Sequence, residues 1–272
     1  MNRLWCVVVV SVGMLLAVGA VEAAQKAPAL KVQDTERFFT WFFHLKQRVP
    51  AKTEFETEEA YRKRLPAIDS QKVLYFLVEP EPDLKNYSYD PSTQALTLGA
   101  GTITGDIGMS PYADMGKTTT GQLANSGLRL ARQGISSGSY VGETAFGVRR
   151  RVSQSVRTDY VLYVSAPREW WEAHAKAEPS YLPARLTVDL HLEPRAADRL
   201  SKSYQMLVGV QVKGLAFSSL RVDSGNGYDT TTSPEELTYR TMMISATLKE
   251  IIIRDRFTKA TVKTVTVPDL FQ

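Results

Sequence analysis

At 272 residues, 43% of them hydrophobic and 23% charged, the chain has apolar material for a packed core, which excludes wholesale disorder. A net charge of +4 and a pI near 9.0 fall short of the dense basic stripe of a nucleic-acid binder, so no nucleic-acid partner is expected. The one cysteine, Cys6, lies inside an N-terminal apolar run, which leaves the rest of the chain without disulfides, thiol chemistry or a thiolate metal site.

The first residues read as a secretory leader. Arg3 is a short basic start, residues 4–20 are uncharged and apolar, and Val21-Glu22-Ala23 supplies the positions a signal peptidase reads. Cleavage after Ala23 is expected, leaving residues 24–272 as a single exported domain. The competing reading is an uncleaved anchor, because residues 4–21 are 18 uncharged residues, just long enough to span a bilayer.

Asp34 or Thr35 caps a helix that begins at Glu36. Phe38, Phe39, Trp41, Phe42, Phe43, Leu45 and Val49 make it apolar on nearly every side until Pro50, a pattern for a core helix laid across a sheet. Lys46 and Arg48 form no dense basic face, which argues against a membrane-surface helix. Thr57 caps a second, short helix. Glu58 and Glu59 fall in its first turn and Arg62, Lys63 and Arg64 in its last, matching the dipole at both ends. Phe55 and Tyr61 are placed to clamp its entry.

Residues 73–78 (VLYFLV) predict a buried strand, and 87–98 predict a hairpin turning on Asp90-Pro91-Ser92-Thr93. Residues 99–138 are rich in Gly, Ser, Thr and Asn. They read as a long loop insert with a short helix at 123–131, the likeliest adjustable element of the surface. Phe146, Val148 and Val152 then alternate, and 160–164 is an apolar, β-branched run; the two are expected to pair at the centre of a mostly antiparallel sheet.

Arg168 to His174 reads as helix. Leu186, Val188, Leu190 and Leu192 alternate inward, 194–200 makes one or two helical turns, and Met206, Val208, Val210 and Val212 alternate again. Residues 224–227 read as a turn. Along 240–254 the apolar phase slips: Met242, Ile244, Ala246 and Leu248 share one parity, Ile251 and Ile253 the other. A bulge near Lys249-Glu250, or a strand crossing between two sheets, would restore the facing. The expected fold is α+β, with N-terminal helices packed on a mainly antiparallel sheet system that is sandwich-like or strongly bent.

Three motifs occur in order: Phe55-Glu56-Thr57-x-x-x-Tyr61-x-x-Arg64, Tyr89-Asp90-Pro91-x-Thr93-Gln94-x-Leu96-Thr97, and Tyr140-Val141-Gly142-x-x-Ala145-Phe146-Gly147. Together they resemble a recurring layout in bacterial exported proteins of unassigned function. The resemblance implies an envelope location and a shared α+β fold, and it brings no catalytic residue with it.

The candidate constellations divide sharply. Gly134-Ile135-Ser136-Ser137-Gly138 fits the Gly-x-Ser-x-Gly pattern of a serine hydrolase, whose chemistry needs a strand entering and a helix leaving the serine. Gly116-Lys117-Thr118 lacks the upstream glycine of a phosphate loop, where Pro111 stands instead. His44, His174 and His191 have no pair at ligand spacing, and His191 with Asp189 and Glu193 offers too few converging ligands, so no metal or cofactor is expected. Residues 223–229 lack the terminal glutamate and acidic spacing of a calcium loop. Glu169 and Glu172 flank Trp170 and Trp171, which read as packing anchors before sugar-stacking platforms.

Arg149, Arg150 and Arg151, with Arg157, form the densest basic patch. On a strand, Arg149 and Arg151 share a face suited to an anionic envelope component or an acidic envelope protein. The expectation is a non-enzymatic periplasmic or secreted binding protein that contacts its partner through Arg149, Arg151 and Arg157. A hydrolase using Ser136 and a membrane-anchored assembly subunit are the alternatives.

Overall fold

A computed structural model describes residues 30–80, 86–104, 123–143, 147–176, 184–226 and 235–267. The leader, Gly116-Lys117-Thr118 and Phe146 lie outside the described residues, and those from Lys31 onward belong to one compact unit. In chain order the elements are β1 (Val32–Gln33), α1 (Thr35–Gln47), α2 (Glu58–Arg64), β2 (Val73–Val78), β3 (Tyr87–Asp90), β4 (Ala95–Ala100), β5 (Thr102–Thr104), β6 (Leu123–Glu143) and β7 (Arg149–Pro167). There follow α3 (Arg168–His174), β8 (Ala175–Lys176), β9 (Arg185–His191), α4 (Pro194–Ser203), β10 (Tyr204–Val212), a 3-10 turn (Leu215–Phe217), β11 (Ser218–Asn226), β12 (Glu235–Asp255) and β13 (Thr261–Thr266). The fold mixes helix and strand and is mainly sheet.

Nine strands form one sheet in the order β1-β2-β10-β12-β7-β6-β5, with β11 and β13 also on β12. Strand β12 is its axis. Residues 236–244 pair with β11 and 246–255 with β10 along one edge; residues 235–247 pair with β7 and 250–254 with β13 along the other. The β7–β12 and β1–β2 ladders are parallel, so the sheet is mixed and not antiparallel throughout. Gly209 pairs with Glu250 and Val210 with Leu248, which makes Lys249 the extra residue of a bulge. The bulge brings Ile251 and Ile253 to the same buried side as Ile244, Ala246 and Leu248, resolving the phase slip in the sequence.

The sheet curls back on itself. The Glu79 N–H donates to the Leu130 carbonyl at 2.8 Å and the Gly101 N–H to the Glu79 carbonyl at 2.9 Å, so the end of β2 meets β6. The concave side holds the core: Phe76, Leu128, Leu162, Val164, Met206, Val208, Val210, Ile251 and Ile253. Helix α1 lies against it. The Asp34 carboxylate accepts from the Arg37 N–H at 2.9 Å, capping the helix, and Phe39, Phe42 and Phe43 are buried. Phe38 meets Phe76 at 5.1 Å and Phe39 meets Tyr160 at 5.5 Å, both edge to face. Trp41 remains 47% exposed, so the helix is apolar all round in sequence but buried along one side only.

A second, antiparallel sheet, β3-β4-β9-β8, contributes Leu96, Leu98, Leu186 and Val188 to the same core. The Tyr204 hydroxyl reaches the carbonyls of Asn86 at 3.0 Å and Gly99 at 2.6 Å and ties the two sheets together. Burial pushes its pKa up to about 12, so it stays a donor at any physiological pH. Trp170 and Trp171 pack edge to face at 5.2 Å, both buried, as anchors of α3.

Several expectations need correction. Residues 123–131 are strand, not helix, and 99–138 is not a loop insert: Gly99 and Ala100 end β4, β5 follows, and β6 begins at Leu123, while 105–122 lie outside the described residues. Asn125, Ser126 and Gly127 are poor helix formers, and the ladder from Leu123–Pro167 to Glu143–Arg149 decides the matter. Val152 and Tyr160 belong to one strand, β7, so the expected central pair does not form; β7 pairs with β6 and β12 instead. Ser224 to Asn226 continue β11 rather than turning. Phe55 is 95% exposed and clamps nothing. The approach to α2 is held by the Thr57 cap and by Arg64, whose guanidinium binds both Glu56 oxygens at 2.6 and 2.8 Å.

At the seam of the curled sheet, Gly101 has φ +63, and a Cβ there would lie 2.6 Å from Val78 Cγ1 and 2.7 Å from the Arg129 carbonyl oxygen. Gly101→Ala is expected to cost about 2–4 kcal/mol through left-handed strain and overpacking. Urea unfolding of the variant beside the parent measures it.

Candidate functional site

The end of the sheet away from the core is where polar chemistry collects. Beyond Gln133 on β6 and before Thr158 on β7, most residues of the ribbon are exposed or half-exposed. Its two faces differ because alternate residues point to opposite sides. Arg149, Arg151 and Arg157 share a parity and line the convex face. Arg149 pairs across the ribbon with Glu143 at 3.2 Å, and Arg151 donates to the Ser139 hydroxyl at 2.8 Å. Arg157 lies over the Tyr239 ring of β12 at 5.8 Å, a cation–π contact near the outer limit of such distances.

The same face continues toward the body of the protein. Asp159 sits two residues past Arg157 and receives Arg132 through two bonds of 2.6 and 2.8 Å. Arg129, only 8% exposed, lies 3.6 Å from the same carboxylate and donates to the Thr102 hydroxyl at 2.8 Å. Arg221 of β11 stands opposite Thr241, which stands opposite Asp159, so it joins this face from the other side of β12. Six arginines therefore share one surface with acidic positions Glu143 and Asp159. The inner two, Arg129 and Arg132, are spoken for by Asp159. Among the described residues Arg149, Arg151 and Arg157 are held by an ion pair, a hydroxyl and a ring at the surface, and an exposed ion pair is worth about 0–1 kcal/mol and exchanges readily for another anion.

The concave face of the ribbon mixes apolar residues with Gln133, Gln154 and Arg150. Ile135 stands opposite Val156 and Tyr140 opposite Val152, and Ile135 and Tyr140 are 54% and 46% exposed.

A cavity of about 370 Å³ opens at the start of α1, lined among others by Asp34, Glu36, Glu79, Arg132, Gln133 and Tyr160. The Tyr160 hydroxyl donates to the Gln133 side-chain oxygen at 3.1 Å, and the Gln133 amide donates to Glu36 at 3.1 Å. Burial, with the charges of Glu36 and Asp34, raises the Tyr160 pKa above that of an ordinary phenol. The phenol is therefore a donor at neutral pH, not a base or nucleophile.

The remaining constellations disperse. Ser136 lies mid-strand in β6 opposite Ser155, without the strand-to-helix turn that positions a hydrolase serine. His44 is exposed on α1, His174 stacks on Trp170 at 4.5 Å, and His191 is exposed on β9. Asp189 accepts from the Thr97 hydroxyl at 2.6 Å. Among the described residues no group of three His, Cys, Asp or Glu side chains is placed to hold a metal ion. Of the stretch 223–229, the first four residues are strand and the rest lie outside the described residues. The chain matches no family model, no curated protein and no solved structure.

Sequence reasoning found Arg149, Arg151 and Arg157 because, with Arg150, they form the densest basic patch of the chain and fall at even spacing on one strand. It missed Arg129 and Arg132, which fall in the stretch read as loop and helix, and Arg221, which arrives through β11.

The two kinds of arginine separate on mutation. Asp159→Ala leaves buried Arg129 facing a lost carboxylate and is expected to cost about 1–3 kcal/mol. Arg157→Ala, on the surface, is expected to change stability by less than about 1 kcal/mol. Chemical denaturation of both variants checks the contrast.

Proposed function

We propose that the chain is an exported, non-enzymatic binding protein, and that it engages an envelope protein or an anionic envelope component through the arginine face of the β6–β7 ribbon. One observation carries this reading: Arg149, Arg151 and Arg157 lie in line on one exposed face of one strand, backed by Tyr239 and extended by Arg221. Such a row attracts an anionic surface at a distance and orients it before contact. Export rests on the leader pattern of residues 1–23, which lies outside the described residues. Among the described residues no helix is long and apolar enough to cross a membrane.

The hydrolase reading has less support, because Ser136 is a strand residue with Ser155 as its neighbour. Neither the cavity at α1 nor the ribbon joins a nucleophile to a base among the described residues.

Affinity capture from envelope extract tests the proposal. The Arg149→Glu/Arg151→Glu variant is expected to recover the partner at least tenfold less than the parent at low salt, with the parent's recovery falling and the gap between the two narrowing as salt rises. Equal recovery by the two forms contradicts it.

A further inference from the structure

Strand β13 pairs only with β12 among the described residues, from Glu250–Thr266 to Arg254–Thr261, and its other edge is bare. Its residues are exposed on both faces except Val265, which is half-buried. The Val267 N–H donates to the Lys249 carbonyl at 2.7 Å and the Asp255 N–H to the Ala260 carbonyl at 2.9 Å. Antiparallel pairs alternate between bonded and non-bonded, so Lys263 and Val265 bond inward to β12, while Thr264 and Thr266 turn their N–H and C=O groups outward. Ile253 stands opposite Lys263 and Arg254 opposite Thr261, which makes Val262 the extra residue of a bulge and leaves Lys263–Thr266 as the straight part of the edge.

Cations surround this edge. Arg254 ends β12, Arg256 and Lys259 lie in the turn to β13, and Lys263 lies on β13 itself. Arg254 and Lys259 reach only the Gln205 side-chain oxygen, at 3.1 and 3.3 Å, and none of the four makes an ion pair among the described residues. The nearby carboxylates are already engaged. Asp255 accepts from the N–H groups of Phe257 and Thr258 at 2.9 and 2.8 Å and from the Ser203 hydroxyl at 2.8 Å. Glu250, opposite Thr266, accepts from the Tyr75 hydroxyl at 2.6 Å. In the same turn Phe257 is 77% exposed.

We infer that β13 receives an extended acidic peptide segment, which adds as a further strand on Thr264 and Thr266 and sets its carboxylates on Arg256, Lys259 and Lys263. Outward N–H and C=O groups at strand spacing are matched by another polypeptide backbone, which repeats donors and acceptors at the same interval. A lipid headgroup has no such repeat. The unpaired cations select acidic side chains on the incoming strand. They also turn away a second copy of this chain, which would bring one cationic edge against another, the usual effect of lysine on an edge strand. Phe257 adds an apolar contact beside the edge. This surface is separate from the arginine face: β13 pairs with residues 250–254 of β12 and Arg157 stands opposite Tyr239, roughly 35 Å away along the strand.

Selection of a random-peptide library on the purified, cell-processed protein tests this, with fluorescence anisotropy of the recovered peptides as the readout. The recovered peptides are expected to be rich in acids and β-branched residues. Thr264→Pro removes an outward N–H and no bond to β12, so the ladder stays. It is expected to weaken peptide binding at least about tenfold, with a melting curve like the parent's. Methylating alternate backbone nitrogens of the peptide leaves the protein untouched and is expected to do the same in one of the two alternations. Arg256→Glu/Lys263→Glu is expected to weaken binding at least about tenfold at low salt, and Arg149→Glu/Arg151→Glu to leave it unchanged. No recovered binder, recovered peptides without an excess of acids, or binding that survives both Thr264→Pro and backbone methylation overturns the inference. If binding is lost in Arg149→Glu/Arg151→Glu but not in Thr264→Pro, the edge assignment falls and the arginine face stands. If the peptides bind the edge while capture from envelope extract is indifferent to Arg149 and Arg151, the arginine face falls alone.

Discussion

Strand β12 is hydrogen-bonded along both edges over nearly all of its 21 residues, and the rest of the architecture follows from that double ladder. A strand paired on both sides cannot slip on one side alone, and a shift of one residue would turn every side chain to the other face. The Lys249 bulge allows one strand to serve the core with two different parities. The parallel register with β7 then places Arg157 beside Tyr239 and Asp159 beside Thr241. The direction in which the arginines point is thus set by the ladder that buries Ile244 and Ala246 on the opposite face.

That ladder divides the sheet into two halves with different physical character. Around the second half of β12 the sheet curls, closes at the Glu79–Leu130 bond and packs aromatic and aliphatic side chains against α1. Around the first half it opens into β11 and the β6–β7 ribbon, whose side chains lie largely in water. Two strands alone are marginally stable in water, and local opening concentrates where buried apolar contacts are few. A surface of this kind is pre-shaped by its register yet able to adjust. The buried Arg129, with Thr102 and Asp159, stands at the boundary and fixes the root of the ribbon to the packed half.

The features legible in the sequence are those written in local chemistry. The Asp34 and Thr57 caps, the hairpin at Asp90-Pro91 and the phase slip at Lys249 each depend on residues within a few positions of one another. Strand β6 was not legible. It carries Gly127, Gly134, Gly138 and Gly142, and bulges at Leu130 and Ser137 break the two-residue period by which a strand is recognised. Only its pairing with β7 makes it a strand, and that pairing is non-local. The parallel alignment of β7 with β12, separated by some seventy residues of chain, leaves no trace in periodicity for the same reason. The arginine row was half legible: a single strand declares its own faces, and the contributions of Arg132 and Arg221 depend on neighbours that sequence order does not reveal.

Amide hydrogen exchange along the whole chain, with and without envelope extract, addresses most directly the claim that the open half of the sheet is the part that engages a partner. The account predicts slow exchange in β10 and the second half of β12 under both conditions, and new protection in residues 134–143 and 149–157 when the extract is present. Protection confined to other segments, with the ribbon exchanging at its free rate, would contradict it.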